Sequence, residues 1–141
     1  MDKKRLEAEI AVLSSRMPEN LYRFVNLGTS DAHVIMGMKT NRGHVYSICI
    51  MLAEFPFNVP KVFVTKMLLD KKRHRLNEVS GAMHTLASEH GWTRICHYGA
   101  QSWTPRVSLF KVYVKCRLWL EMYELHLQTG LPMDYYLNHQ Q

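Results

Sequence analysis

The chain has 141 residues, of which 47% are apolar and 21% are charged, a composition that excludes a largely disordered or low-complexity chain. No apolar run approaches the ~20 residues that cross a bilayer, and the N-terminal residues MDKKRLEAEI lack the apolar core of a secretory signal. The length is enough for one domain with a hydrophobic core. We therefore expect a single domain over 1–141, located in the cytoplasm and without membrane contact.

The formal net charge is +6 and the pI is about 9.3, which favours acidic partners. Positive charge is densest at residues 71–75, KKRHR. A run of this kind is usually a solvated loop, and the alternative is a docking patch for an acidic protein or for nucleic acid. No nucleic-acid-binding motif accompanies the run, so we do not expect nucleic acid as a partner.

The first half of the chain predicts one helix and then strands. Asp2 can cap a helix whose apolar positions recur at helical spacing until about residue 17. Alternating or β-rich segments at 21–28, 33–40 and 44–52 predict three strands, with a hairpin turn at 41–43, and residues 62–64 predict a fourth. Cys49 lies inside the third strand, where we expect a small buried residue.

The second half predicts an irregular segment and a long helix. Residues 66–103 show little periodicity, and we expect at most one or two helical turns there, within 77–91. Thr104 as N-cap and Pro105 as first helical residue predict a helix that ends at Gly130, with Cys116 in the core. The tail from 131 predicts a further short helical turn. A helix, about four antiparallel strands, an irregular segment and a long helix indicate an α+β domain.

Cys96 lies in a polar stretch, GWTRICHYGAQSWTP at 91–105, and is the cysteine with a candidate chemical role. Cys49, Cys96 and Cys116 cannot form an even disulfide framework, so we expect three reduced thiols. A reactive thiolate needs exposure and positive surroundings, and Cys96 has Arg94 and His97 nearby and a predicted helix start at Thr104. Acyl transfer through a thioester fits such a cysteine.

Two other chemistries remain open for this stretch. The residues His84, His90, Cys96 and His97 contain zinc-ligand types, but adjacent ligands at 96 and 97 are awkward on one ion, and no paired CxxC motif is present. A cysteine hydrolase is the other, although the local signatures of known cysteine proteases are missing and four strands make a poor hydrolase sheet. We expect no metal and no cofactor.

Several motifs resemble the ubiquitin-conjugating enzyme family. FPFNVPKVFV at 55–64 is similar to the link before the family's fourth strand, and Cys96 followed by Trp103-Thr104-Pro105 resembles its active-site cysteine and the start of the next helix. ICHYGAQSWTP and WLEMYELHLQTG more narrowly resemble bacterial relatives found in CBASS anti-phage operons and in bacterial ubiquitin-like operons. The resemblance implies the fold of a ubiquitin-conjugating enzyme: an N-terminal helix, a four-stranded antiparallel meander, an active-site loop and a long C-terminal helix.

The resemblance also implies a reaction and its partners. Cys96 would accept the C-terminus of a donor protein, either a cGAS-like nucleotidyltransferase or a ubiquitin-like protein, from an activating enzyme, and a lysine of an acceptor would then attack the thioester. The family's His-Pro-Asn motif is absent, and His84, His90 and His97 are the candidate replacements, with Asn77 a more distant one. The alternative is a catalytically inactive binding module that keeps the fold and holds a ubiquitin-like partner.

Overall fold

The computed structural model describes residues 1–138, which form an α+β domain with three α-helices and six strands. In chain order the elements are α1 (Lys3–Arg16), β1 (Tyr22–Val25), β2 (His33–Lys39), β3 (Val45–Met51), β4 (Val62–Val64), β5 (Thr85–Glu89), β6 (Trp92–Ile95), α2 (Leu109–Thr129) and α3 (Met133–Asn138). None of these helices is both long and apolar enough to cross a membrane.

All neighbouring strands in the sheet are antiparallel, in the order β1-β2-β3-β4-β6-β5. The first four strands form the predicted meander. The predicted number of strands is wrong, because the segment expected to be irregular or helical contains β5 and β6. Their two-residue turn is His90-Gly91, and both residues have the positive φ that such turns require. A bulge between Leu86 and Glu89 breaks the alternation that would have revealed β5 in the sequence.

Helix α2 packs against one face of the sheet and forms the main core with it. Alternate residues of the central strands point to this helix, and the residues involved are Val34, Met36 and Met38 of β2 and Tyr46, Ile48 and Ile50 of β3. The helix contributes Val112, Cys116 and Leu120, all fully buried. Cys49 is buried with Phe63 on the opposite face, so both cysteines predicted to be structural are buried.

The two ends of the chain contain helices close to those that the sequence predicts. The Asp2 carboxylate accepts a hydrogen bond from the Arg5 backbone at 2.7 Å and caps α1, which ends at Arg16. Gly130 ends α2 with φ 77°, a left-handed conformation that glycine adopts without strain. The predicted helical turn in the tail is α3.

The predicted start of α2 at Thr104-Pro105 is wrong, because the helix begins at Leu109 with Ser108 as its N-cap. Two residues of α1 explain the delay. The Arg5 guanidinium donates to the backbone carbonyls of residues 105 and 107 and so holds this segment against α1. The buried Glu9 carboxylate accepts the Leu109 N–H at 2.7 Å, which satisfies a free donor of the helix start.

Candidate active site around Cys96

Cys96 directly follows β6 and differs from the other two cysteines in its access to solvent. Its side chain is half-buried, whereas Cys49 and Cys116 are buried. Burial raises the pKa of Cys49 to about 11 and also raises the pKa of Cys116. Since the thiolate is the nucleophile, the two buried thiols are inert at neutral pH and Cys96 is the candidate for chemistry.

The backbone of Cys96 is held by one carbonyl oxygen, that of His84. The Cys96 N–H donates to it at 2.9 Å, which continues the β5–β6 ladder by one residue. The indole N–H of Trp119 on α2 donates to the same oxygen at 2.9 Å. His84 has φ 51°, in the left-handed region where histidine is one of the more tolerated residues. The backbone of the candidate nucleophile is thus held between the sheet and the buried helix.

The side chain of His84 is paired with a carboxylate from the C-terminal helix. Its Nε2 lies 2.7 Å from Oδ1 of Asp134, and the Asp134 N–H donates to the Ala82 carbonyl at 2.8 Å. Because a carboxylate only accepts, Nε2 is the donor, and Nδ1 of the neutral imidazole carries the lone pair. The fold therefore brings Cys96, His84 and Asp134 together from three separate segments.

Asp134 was missed by the reasoning from sequence. It lies 38 positions after Cys96 in the numbering, in a short helix, and no motif links it to the cysteine or to His84. Only the docking of α3 beside residues 82–84 brings it into the site.

The Cys96 thiol is not held by the imidazole in this structure. Within residues 1–138, the sulfur atom of Cys96 forms no hydrogen bond. The contact between the two residues is the backbone bond, and the imidazole is bonded to Asp134 instead. Catalytic hydrogen bonds often form only when substrate is present.

His97 is adjacent to Cys96 in sequence and is partly buried. Both of its ring nitrogens are buried and make no hydrogen bond with the described residues. Burial is the main cause that lowers the pKa of His97, and the positive charge of Arg94 acts in the same direction; the pKa is about 4, so the ring is neutral at pH 7. Its ring packs edge-on against Tyr98, with 6.4 Å between the ring centroids.

His90 lies at the far end of β6 from Cys96. It forms the β5–β6 turn, and its ring contacts those of Phe63 and Trp92. Six positions along an extended strand correspond to roughly 20 Å, so the fold does not bring His90 to the thiol. Asn77 lies beside the same end of the β5–β6 hairpin as His90, because its backbone carbonyl accepts the N–H of Ser88 in β5.

The loop after Cys96 is closed by aromatic packing around Trp103. The indole N–H of Trp103 donates to the Pro56 carbonyl at 2.9 Å, and its ring lies edge-on to Phe55 and to Tyr98. Trp103 is thus a packing residue. The Lys115 ammonium lies 5.4 Å from the centre of the Tyr98 ring and brings positive charge to the loop.

The positive helix end that the sequence predicts beside Cys96 is not present there. With α2 beginning at Leu109, its N-terminal end lies against Glu9, whose carboxylate offsets the partial positive charge. Cys96 instead lies near the middle of α2, because Trp119 of that helix donates to the same His84 carbonyl that Cys96 binds.

No group of three or more metal-ligating side chains occurs within residues 1–138. A zinc site made of the three histidines and Cys96 is therefore not formed by this fold, because His90 lies at the opposite end of β6. Comparison of the chain with protein-family models, with curated proteins and with solved structures gives no match.

Proposed function

We propose that this chain is a ubiquitin-conjugating-like transferase that carries the C-terminus of a donor protein as a thioester on Cys96 and passes it to a lysine. The observation that carries the proposal is the half-buried Cys96, whose backbone N–H donates to the carbonyl of His84, a residue whose imidazole is bonded to Asp134. The motifs around Cys96 and along α2 that resemble bacterial ubiquitin-conjugating relatives support the same conclusion.

The reaction has two steps. The Cys96 thiolate first attacks the donor carbonyl, which an ATP-dependent activating enzyme supplies as an activated ester, and the activating group leaves. The acceptor amine then attacks the thioester, the new C–N bond forms, and the Cys96 thiolate leaves. Nδ1 of His84 accepts the proton that the amine loses, while Asp134 holds the ring through Nε2 and stabilises the imidazolium. In this scheme His84 takes the place of the His-Pro-Asn motif that the chain lacks.

The partners follow from the resemblance and belong to the proposal. The donor is a cGAS-like nucleotidyltransferase or a ubiquitin-like protein, the acceptor presents a lysine, and the setting is bacterial anti-phage defence. We place the reaction in the cytoplasm, where the three free thiols stay reduced.

The test is covalent loading of the purified chain. The protein is incubated with ATP, the neighbouring activating enzyme and the donor, and adducts are separated with and without reducing agent. We expect a thiol-sensitive adduct that Cys96→Ala abolishes and that Cys49→Ala, the matched control, retains. An adduct that persists in Cys96→Ala, or none with the native chain, contradicts the proposal.

A second candidate function is a binding module that holds a ubiquitin-like partner without chemistry. It is favoured by the Cys96 sulfur, which has no hydrogen bond to an imidazole within residues 1–138. This function predicts that Cys96→Ala binds the partner as tightly as the native chain and keeps its biological activity. Loss of phage protection with intact partner binding would exclude it.

A further inference from the structure

The cluster of positive charge in the sequence forms an ordered hairpin, which we call the basic hairpin and define as residues 69–75. Leu69 and Arg75 form a β-bridge, and the Asp70 N–H donates to the His74 carbonyl at 2.8 Å. Arg73 takes a left-handed conformation with φ 68°, and the Asp70 carboxylate accepts the His74 N–H. The backbone of the basic hairpin is thus defined by its own hydrogen bonds.

Two buried side chains of α2 anchor the basic hairpin to the domain. The Tyr123 hydroxyl donates to the Leu69 carbonyl at 2.6 Å. Nε2 of His126 accepts the Lys71 N–H at 3.0 Å, while its Nδ1 donates to the Leu131 carbonyl. Buried polar side chains that are used to hold a loop in one position indicate a positioned surface, which a merely solvated charge run does not need.

The lysines and arginines of the basic hairpin form no ion pair in the part of the chain that the structure describes. Within residues 1–138, no carboxylate forms an ion pair with Lys71, Lys72, Arg73 or Arg75, and all four residues are exposed. Arg42 extends the patch, because Arg42 and Lys71 both donate to Gln128, at its side chain and its backbone carbonyl. Within residues 1–138, none of these five positive side chains forms an ion pair, and the one carboxylate of the hairpin, Asp70, lies beside His74 instead.

This positive end lies beside the candidate active site. His126, which holds the basic hairpin, is seven positions after Trp119, which holds the carbonyl opposite Cys96. Seven residues make about two turns, so both side chains leave the same side of α2 about 10 Å apart along the helix axis. A polypeptide bound at the basic hairpin can reach the thioester with a few extended residues.

We propose that the basic hairpin docks an acidic segment of the acceptor protein and so selects a lysine flanked by acidic residues. This inference rests on the proposed transfer from Cys96. Charge complementarity carries it, since unpaired cations at a fixed position attract an acidic chain and disfavour a basic one. The hairpin sequence LDKKRHR has no Phe, Tyr or Trp on which a nucleobase could stack, and this favours an acidic polypeptide over nucleic acid.

The test measures binding of labelled probes to the full chain by fluorescence anisotropy. The probes are a glutamate-rich peptide with one lysine, the same peptide with glutamine for glutamate, and a single-stranded DNA of equal net charge. We expect the glutamate-rich peptide to bind most tightly and its affinity to fall with added salt. The double variant Lys72→Glu/Arg73→Glu should weaken it by about tenfold, because two attractions become repulsions.

The matched control is Lys3→Glu/Lys4→Glu, which changes the net charge equally at the start of α1. That helix contacts Leu109, 17 positions before His126 and thus about 25 Å away along α2, so we expect less than about a twofold change. Equal weakening by both double variants, tighter binding of the DNA, or no binding of the acidic peptide would each overturn the proposal. The neutral variant Lys72→Gln/Arg73→Gln should weaken peptide binding to an intermediate degree. This graded response separates the loss of positive charge from misfolding of the chain.

The docking surface and the transfer reaction can fail separately. Cys96→Ala should bind the acidic peptide with unchanged affinity while it forms no adduct. If the native chain forms the Cys96 adduct but does not bind the peptide, the docking proposal alone is contradicted. If the chain binds the peptide at the basic hairpin but forms no adduct, the proposed transferase function is contradicted. The selection of an acceptor lysine by the basic hairpin is then contradicted as well.

Discussion

Cys96 and Trp119 donate hydrogen bonds to the same oxygen atom, the backbone carbonyl of His84, each at 2.9 Å. Trp119 is 1% exposed and stacks on Tyr123, so the position of the candidate nucleophile is tied to the packing of the core. The backbone of the half-buried Cys96 is thereby held in place by a residue of the buried helix α2.

The Trp119→Phe variant tests whether the hydrogen bond of Trp119 holds the backbone around Cys96 in place. The change removes the indole N–H and part of the buried ring, and we expect the free energy of unfolding to fall by about 1–3 kcal/mol. Denaturant unfolding measures the loss, and hydrogen exchange of the Cys96 amide should become faster. The control is Trp103→Phe, which removes a bond to Pro56 from a less buried ring. A larger loss for Trp103→Phe than for Trp119→Phe would contradict the prediction.

The thiols should differ sharply in reactivity. We expect one fast-reacting thiol per native chain towards an aromatic disulfide reagent, and three after unfolding in denaturant, because Cys49 and Cys116 are buried. Cys96→Ala should remove the fast phase and Cys49→Ala should leave it unchanged. A fast phase that survives in Cys96→Ala would show that a thiol assigned to the interior is accessible.

His84 and Asp134 should matter for transfer more than for loading. We expect His84→Gln to slow the attack of a lysine on the loaded thioester by about 100-fold, and Asp134→Asn, which changes a positioning residue, by about tenfold. The rate of thioester formation should change far less in both, whereas a merely structural defect would lower both rates. Single-turnover assays separate the two steps.

His90→Gln is the matched control for these substitutions, because His90 lies at the opposite end of β6. Its rates should stay within about twofold of the native values. If His90→Gln slows transfer as much as His84→Gln does, the assignment of the proton acceptor is wrong.

The buried Glu124 carboxylate should make stability depend on pH. It accepts bonds from the His44 ring at 2.5 Å and from the Tyr46 hydroxyl at 2.9 Å, and so joins α2 to the β2–β3 hairpin. Burial alone would raise the pKa of Glu124, but hydrogen bonds from neighbouring side chains outweigh it, and the pKa is lowered. The stabilisation is therefore complete above the unfolded glutamate pKa of about 4.3 and is lost as the pH falls through the lowered folded value.

Glu124→Gln should therefore cost about 1–3 kcal/mol of unfolding free energy at neutral pH and progressively less at acidic pH. Denaturant unfolding over a pH series measures the difference from the native chain. Glu7→Gln, an exposed position on α1, serves as control and should change stability by less than about 0.5 kcal/mol at any pH. A Glu124→Gln deficit that does not shrink on acidification would be inconsistent with this role.

The elements that could be predicted from the sequence are those with strong local signals. The cap at Asp2, the alternation of β2 and β3 and the glycine at 130 each specify structure within a few residues, and all three are present in the structure. Cys96 could be identified because a polar loop cysteine stands out against two cysteines in apolar periodic segments. These signals require no knowledge of distant contacts.

Whatever depends on residues far apart in the chain was decided by the tertiary structure. Glu9 and Arg5 set the start of α2 from 100 positions away, and Asp134 reaches His84 only because α3 docks beside residues 82–84. The β5–β6 hairpin likewise gains its stability by pairing with β4, and its bulge hides the alternation. The sequence by itself thus determined the α+β class, the start of α1, the end of α2 and the candidate nucleophile. Tertiary packing decided the strand count and the partners of that nucleophile, because hydrogen bonds between distant segments outweigh weak local preferences.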